Sequence, residues 1–173
     1  IRQGLTQGIA PPLFLTKEYM LSSLDVFPIE FLEMKESHVL LYGENILSTL
    51  PIREQHIQLF CEQQLKGKLL RIRQGYLEVG CNPRGIRSLL KSSLNSLIPI
   101  FRNLIRLKNK VPAMEKTIFL KQFTEEFGLT PDVIGDVHRY ISHRQKLPHQ
   151  ALENLLEKYL SGIEKIIFLV DHL

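Results

Sequence analysis

Residues 53–79 read REQHIQLFCEQQLKGKLLRIRQGYLEV, and this stretch decides the fold class. Its apolar side chains recur at steps of three and four, with charged and amide side chains between them. This period predicts one long amphipathic helix, which ends near Gly80 and Pro83. The residues that form its apolar seam are Ile57, Cys61, Leu65, Leu69, Ile72 and Tyr76.

The same pattern continues after this helix. A second long helix is predicted after Pro83, with a kink at Pro99, because proline removes a backbone donor and crowds the preceding turn. Three more amphipathic segments follow, the last of them from about Gln150. Short loops between helices favour antiparallel neighbours. The sequence therefore predicts a mainly α protein with an all-helical C-terminal domain over residues 51–173, arranged as a five-helix bundle.

Turn and cap residues mark the two shorter helices. Gly128 is expected to end one of them. Thr130 is expected to be the N-cap of the next, with Pro131 at its first helical position.

The first fifty residues differ in character. Thr16 is a candidate N-cap for a short helix, and two short strands are predicted after it, DVFPIEFLEM at residues 25–34 and HVLLYG at 38–43. Pro28 confines the first strand to an edge, its beginning or a bulge. Because two isolated strands are only marginally stable in water, they imply additional sheet elsewhere.

Composition is that of an ordinary globular protein. The 173 residues are 44% hydrophobic and carry 22 Lys and Arg against 18 Asp and Glu, a net charge of +4. This mild excess permits an anionic partner but is unlike a nucleic-acid-binding arm, so nucleic acid is not expected as a partner. No membrane span of about 18 apolar residues and no secretory signal are expected, and the chain resembles part of a longer protein. Cys61 and Cys81 have no CxxC partner, which favours two reduced thiols in a cytoplasmic protein.

Acidic residues near the N-terminus are the first candidates for chemistry. Asp25, Glu30 and Glu33 fall on the first predicted strand, where a bulge at Pro28 would bring Asp25 and Glu30 to one side. Clustered carboxylates hold Mg²⁺ in phosphoryl-transfer sites. Solvated carboxylates on an edge strand remain the alternative.

Basic residues on the two long helices are the second candidates. An arginine fork on such a helix face can grip phosphate or carboxylate, whereas a solvated surface with pairs such as Glu62 and Lys66 is the alternative. The antiparallel helices would gather several of these cations near the turn VGCNPRG, residues 79–85. The candidate substrate-binding residues are Lys66, Arg71, Arg73, Arg84 and Arg87.

Three histidines do not match a metal site. His138 and His143 are five residues apart, the wrong step for two ligands on one helix face, and His149 has no cysteine beside it. The stretch RQKLPH, residues 144–149, fits an Arg-x4-His pattern of helical ribonuclease domains of toxin systems, but Pro148 places it in a loop.

Three blocks in a fixed order carry a resemblance to a known family. They are PPLFLTKEYMLSSLDVFPIEFLEMK followed by HVLLYGENIL, then CEQQLKGKLLRIRQGYLE, then SLLKSSLNSLIPIFRNLIRL. Together they resemble the C-terminal two thirds of bacterial nucleotidyltransferase-domain proteins of the polymerase beta-type superfamily, over roughly residues 11–107. The resemblance implies that residues 1–50 are a remnant of an α/β catalytic domain and that the helical domain binds substrate or forms a dimer.

The resemblance also implies roles for single residues. Glu30 best matches a third metal-binding carboxylate on a late strand of such domains, and Asp25 is second. The Gly-Ser turn and the DxD or DxE pair of the superfamily do not occur before Asp25. The whole protein is therefore expected to use Mg²⁺ and an NTP, while this chain alone is expected to be inactive and to bind no metal or cofactor.

Two partners follow from the same reasoning. A nucleotide or another anionic acceptor would bind the basic face. A homodimer is expected, through the second or the last long helix, because strand edges and apolar helices would otherwise stay exposed. The alternative function is a non-catalytic helical interaction module.

Overall fold

A computed structural model describes residues 11–80, 82–143 and 147–173. These residues form two compact units, which meet in sequence between His56 and Ile57 and are described separately here as unit 1 and unit 2. The mainly α class is confirmed, and the described residues contain seven α-helices. The helices are α1 Lys17–Ser22, α2 Pro28–Ser37, α3 Glu54–Val79, α4 Pro83–Leu107, α5 Lys116–Glu126, α6 Val133–Ser142 and α7 His149–Asp171.

Unit 1 is built around a small apolar core. Thr16 caps α1 as the sequence predicts, since its side-chain oxygen accepts a hydrogen bond from the Tyr19 amide at 3.1 Å. After α2, the chain runs irregularly to a 3₁₀ turn at Leu47–Thr49. Lys35 ties α2 to the end of this turn by donating from Nζ to the Leu50 carbonyl at 3.0 Å. The buried side chains of this core are Met20, Leu24, Phe31 and Leu50.

The two predicted strands are wrong. Residues 28–37 form α2, and the stretch from 38 to 43 has no regular structure; residues 11–80 contain no strand. Pro28 occupies the first turn of α2, where its fixed φ suits a helix and its missing N–H costs nothing. The residues after it are mostly strong helix formers, namely Glu30, Leu32, Glu33, Met34, Lys35 and Glu36. A remnant of an α/β sheet is therefore absent from the part of residues 1–50 that the structure describes.

In unit 2, α3 buries the face that the sequence predicts. Ile57, Cys61, Leu65, Leu69 and Ile72 are all buried, as the period of three and four requires. The helix ends before Gly80, whose φ of 56° favours a residue without a side chain.

Helices α3 and α7 run antiparallel to each other. At one end Gln58 donates from Nε2 to the Val170 carbonyl at 2.7 Å. At the other end the Tyr76 hydroxyl donates to Glu153 Oε1 at 3.2 Å. These two bonds fix the register along most of the length of α3.

Helix α4 is the central element of unit 2. Asn82 caps it by accepting a hydrogen bond from the Arg84 amide at 3.1 Å, and the helix continues through Pro99 to Leu107. It contacts α5, α6 and α7, and α6 contacts α5 and α7 in turn. The rings of Phe101 and Phe123 stack at 4.1 Å between α4 and α5. Five helices thus follow residue 53 in the described part of the chain.

The start of α6 differs from the expectation. Asp132, not Thr130, is the N-cap, because its carboxylate accepts hydrogen bonds from the Gly135 amide at 2.8 Å and from the Thr124 hydroxyl at 2.9 Å. Gly128 follows the end of α5 with a φ of 55°, as predicted for a glycine after a helix.

Within the described residues, none of the helices combines the length and the apolar character that crossing a bilayer requires.

Candidate functional site

The three candidate carboxylates lie on helices and turns of unit 1. Asp25 is exposed in the turn between α1 and α2. Glu30 is exposed in the first turn of α2, where a negative charge interacts favourably with the helix dipole, and Glu33 is exposed one turn later. The predicted bulge that would bring Asp25 and Glu30 together does not form, because no strand forms here. This arrangement fits the solvated carboxylates that the sequence left as the alternative.

An apolar segment follows α2 directly. Four consecutive large side chains are exposed there, Val39 by 79%, Leu40 by 50%, Leu41 by 92% and Tyr42 by 96%. We call residues 39–42 the exposed segment. It borders a groove of about 540 Å³ whose wall includes Met20 and Met34 from the core of unit 1.

Hydrogen bonds fix the residues on either side of the exposed segment. His38 Nε2 lies 2.8 Å from Asn45 Oδ1, and His38 Nδ1 lies 3.1 Å from the Met34 carbonyl at the end of α2. Asn45 Oδ1 also accepts from the Ser48 amide at 3.1 Å. The base of the segment is therefore anchored while its side chains point to solvent. The sequence signal for this segment is the apolar run HVLLYG, whose residues predict a strand.

Lys66 and Arg73, both candidate cations, each form an ion pair. Lys66 bonds Glu62 one turn earlier on α3, and this hydrogen bond raises the pKa of Lys66. Arg73 bonds Glu164 of α7. Lys66, Arg73 and Glu164 are about half exposed, whereas Glu62 is mostly covered. Ion pairs with such exposed cations contribute little to stability. The solvated-surface alternative therefore describes Lys66 and Arg73 in this structure.

Arg87 has a structural role. Its guanidinium donates to the carbonyls of Tyr140 at 3.3 Å and Ile141 at 3.0 Å, and it lies 4.8 Å from the centre of the Tyr140 ring. It thus binds the last turn of α6, where unpaired carbonyls and the negative end of the helix dipole favour a cation. Arg71 and Arg84 remain exposed at the surface of α3 and α4. Cys81, in the turn where these cations were expected to gather, lies outside the described residues.

Histidines and lysines meet between α4, α5 and α6. Lys116 Nζ donates to Asn95 Oδ1 at 2.9 Å, and burial followed by the charge of Lys91 lowers the pKa of Lys116. Burial, and next the charge of Lys116, lowers the pKa of His138, whose Nε2 lies 3.3 Å from the Ser142 hydroxyl.

The other two histidines lie apart from this contact. His143 follows α6, and His149 lies at the start of α7, 3.4 Å from the carboxylate of Glu153. Arg144, the arginine of the pattern RQKLPH, lies outside the described residues.

Cys61 is buried on α3 and has no exposed surface. Burial raises the pKa of its thiol to about 12, so the thiolate needed for nucleophilic chemistry does not form near neutral pH.

The described residues do not fit the Mg²⁺ that the resemblance implies. Nowhere in residues 11–80, 82–143 and 147–173 do three Asp, Glu, His or Cys side chains come close enough to share one ion. Mg²⁺ binds through carboxylate oxygens together with substrate phosphates, and a single carboxylate such as Glu30 holds it weakly.

No protein-family model, no curated protein and no solved structure matches this chain.

Proposed function

We propose that this chain is the helical part of a nucleotidyltransferase, inactive on its own, and that unit 1 docks on the catalytic domain of that enzyme. The observation that carries the docking is the exposed segment, residues 39–42. The order of the three sequence blocks given above supports the assignment of the chain to a nucleotidyltransferase. The metal-binding aspartates are assigned to the catalytic domain, which would supply Mg²⁺ and NTP binding.

The exposed segment has the properties of an interface. Leu41 and Tyr42 are almost fully exposed, and burying each of them would contribute about 1.5–3 kcal/mol. Contiguous apolar surface of this kind marks protein interaction sites. The backbone of this segment lies in neither a helix nor a strand, so its N–H and C=O groups are free to pair with the edge of a partner's sheet.

The candidate site residues other than Arg87 keep their roles in this proposal. Glu30 would add a third carboxylate to the catalytic domain, with Asp25 as the second choice. Exposed Arg71 and Arg84 would bind the anionic acceptor or the triphosphate, and Lys66 and Arg73 would exchange Glu62 and Glu164 for phosphate.

Nucleotide transfer by the product of the complete gene tests the proposal. Label from an NTP should be transferred in the presence of Mg²⁺. Glu30→Gln should abolish transfer, whereas Lys66→Ala should mainly weaken substrate binding. Unchanged activity of Glu30→Gln would refute the assignment of this carboxylate, and failure of the wild type with every NTP would refute the nucleotidyltransferase assignment.

The docking is tested by a double variant. Leu41→Ser/Tyr42→Ser should weaken docking by on the order of 100-fold, because it removes at least about 3 kcal/mol of apolar burial. Leu77→Ser is the matched control, since Leu77 is 80% exposed but belongs to unit 2. Docking is read out as nucleotide transfer by the product of the complete gene. Equal transfer by the double variant and the control would contradict the docking role.

A second candidate is a homodimeric interaction module without nucleotide transfer. It is favoured by the outer face of α3, where three leucines are exposed by 63% or more at separations of eleven and seven residues, which places them in one line. We call Leu59, Leu70 and Leu77 the leucine line. The expected contacts through α4 or α7 have less support, because α4 exposes no large apolar side chain in its described residues and α7 exposes Phe168.

The molar mass in solution distinguishes the homodimeric module from the nucleotidyltransferase part. If the chain is this module, light scattering should report a dimer at about ten micromolar, a concentration suited to detecting weak association. Leu59→Ser/Leu70→Ser should give a monomer while Leu41→Ser/Tyr42→Ser stays dimeric. A monomeric wild type would rule out this candidate at that concentration.

A further inference from the structure

A cleft in unit 2 is lined by none of the candidate site residues considered above. It opens between the start of α6 and the middle of α7 and has a volume of about 180 Å³. Its floor is apolar and consists of buried Leu129, Val133 and Ile134, with Pro131 at the edge. An apolar cavity of about 150 Å³ is large enough to bind benzene, so this cleft has room for a group the size of a benzene ring.

Two lysines stand at the rim of the cleft. Lys158 and Lys165 are seven residues apart on α7, which is two turns, so both lie on the same side of the helix. No acidic residue lines the cleft, and the lining therefore carries two positive charges. Lys165 Nζ donates one of its three hydrogens to the Gly128 carbonyl at 3.1 Å. Its other two donors remain available.

The carboxylates near these lysines in sequence do not line the cleft. Glu157 and Glu164 each precede one of the lysines on α7, neither belongs to the cleft lining, and Glu164 is paired with Arg73. Asp132 Oδ1 accepts from the Gly135 amide and from the Thr124 hydroxyl, which commits this oxygen to the N-terminus of α6 and to α5. The structure gives Lys158 no hydrogen bond or ion pair with any residue that it describes.

A glycine keeps the cleft open. Gly162 lies between the two lysines on α7, and a Cβ atom added there would lie 3.8 Å from Val133 Cβ on the opposite wall. That is ordinary contact distance, so a larger side chain at this position would fill the space between the helices. Ser161, the residue before it, also lines the cleft.

We propose that this cleft binds a small organic anion whose acid group lies between Lys158 and Lys165 and whose apolar body rests on the floor. Binding sites for small molecules combine an apolar wall with a few charged or polar groups in this way. A carboxylate and a phosphate monoester share the required chemistry. A cleft smaller than the roughly 300 Å³ of typical ligand sites selects a compact ligand.

Titration with three probes of similar size tests the proposal. Benzoate and phenyl phosphate carry the acid, and benzyl alcohol is the neutral control. Amide chemical shifts of residues 129–134 and 158–165 should move with benzoate or phenyl phosphate and move much less with benzyl alcohol. Tighter binding of phenyl phosphate indicates a phosphate ligand, and tighter binding of benzoate indicates a carboxylate. Equal binding of all three, or shift changes elsewhere in the chain, would overturn the proposal.

Variants of the cleft sharpen this test. Lys158→Gln should weaken the binding of either anion about two- to fivefold, as expected for one largely exposed charge. Gly162→Leu should abolish binding by filling the cleft. Lys121→Gln, on exposed α5 surface, is the matched control and should bind as the wild type does. Wild-type affinity in Lys158→Gln, which removes only a surface charge, would refute the proposal even if Gly162→Leu failed to fold.

Discussion

The Ser93 hydroxyl oxygen lies 3.3 Å from the Tyr159 hydroxyl oxygen, and both side chains are buried where α4 contacts α7. Ser93 also bonds the Leu90 carbonyl at 3.0 Å, whereas the structure shows no other hydrogen bond from Tyr159 to a described residue. Burial raises the pKa of Tyr159, so its hydroxyl is neutral near neutral pH. The Tyr159 hydroxyl therefore depends on this contact for its hydrogen bond, whereas the Ser93 hydroxyl does not.

This asymmetry predicts unequal effects of two substitutions. Ser93→Ala should lower the free energy of unfolding by about 1–3 kcal/mol, because it leaves the Tyr159 hydroxyl buried without a partner. Tyr159→Phe should cost less than about 1 kcal/mol, since Ser93 keeps its bond to Leu90. Urea unfolding measures both. The double variant should be more stable than Ser93→Ala alone, and the opposite order would contradict this account.

Arg87 is predicted to stabilise the folded protein. Arg87→Lys should lower the free energy of unfolding by about 1 kcal/mol, because lysine cannot present a planar fork to the two carbonyls of α6 while stacking on Tyr140. Arg84→Lys, on the exposed surface of α4, is the control and should change it by less than about 0.5 kcal/mol. Thermal unfolding followed by circular dichroism compares them. Equal effects would return Arg87 to the candidate substrate-binding residues.

Two glycines are predicted to respond in opposite directions to alanine. Gly67 lies within α3 with open space around it, so Gly67→Ala should raise the free energy of unfolding by about 0.5–1 kcal/mol. Gly85→Ala should lower it, because the new Cβ would lie 2.7 Å from the branched Val79 Cβ. Chemical denaturation of both variants measures the difference. A stabilised Gly85→Ala would show that the contact between the end of α3 and the start of α4 is looser than the structure indicates.

The lowered pKa of His138 predicts that the stability of the protein depends on pH. Its pKa is lowered in the folded state by burial and by Lys116, with smaller effects of the same sign from His143 and Arg139 and an opposing effect from Glu115. The unfolded chain therefore binds this proton more readily, so the free energy of unfolding should rise as pH increases through the window between the folded pKa and 6.5. His138→Gln should flatten this rise in urea unfolding series from about pH 5 to about pH 8. An identical profile in the variant would exclude His138 as its source.

Long periodic segments were predictable from the sequence, and short apolar runs were not. The seam of α3 extends from Ile57 to Tyr76, and only one secondary structure fits that many repeats. The run DVFPIEFLEM is too short for its period to decide, and its β-branched and aromatic residues favoured a strand. Burial of Ile29 and Phe31 in unit 1 instead accompanies a helix that Pro28 starts. Pro28 at the helix start and the helix formers after it thus outweighed the β-branched and aromatic residues.

The candidate site was less predictable, because a charged side chain does not reveal its partner. Arg87 and Tyr140 are 53 residues apart, and no local pattern connects them. The spacing of Lys158 and Lys165 was visible in the sequence, but the opposite wall of their cleft comes from another helix. Only the folded chain brings these groups together.

The hydrogen bond between Gln58 and the Val170 carbonyl has a mechanical consequence. Because α3 and α7 are antiparallel, the first turn of one lies beside the last turn of the other, and tension applied at residues 57 and 171 would pull the two helices apart from that end. Contacts would then break one turn at a time, as in a zipper, rather than all together in shear. Unit 2 should therefore yield at low force when stretched between these positions in optical tweezers, and at higher force when the same load is applied between residues 57 and 153.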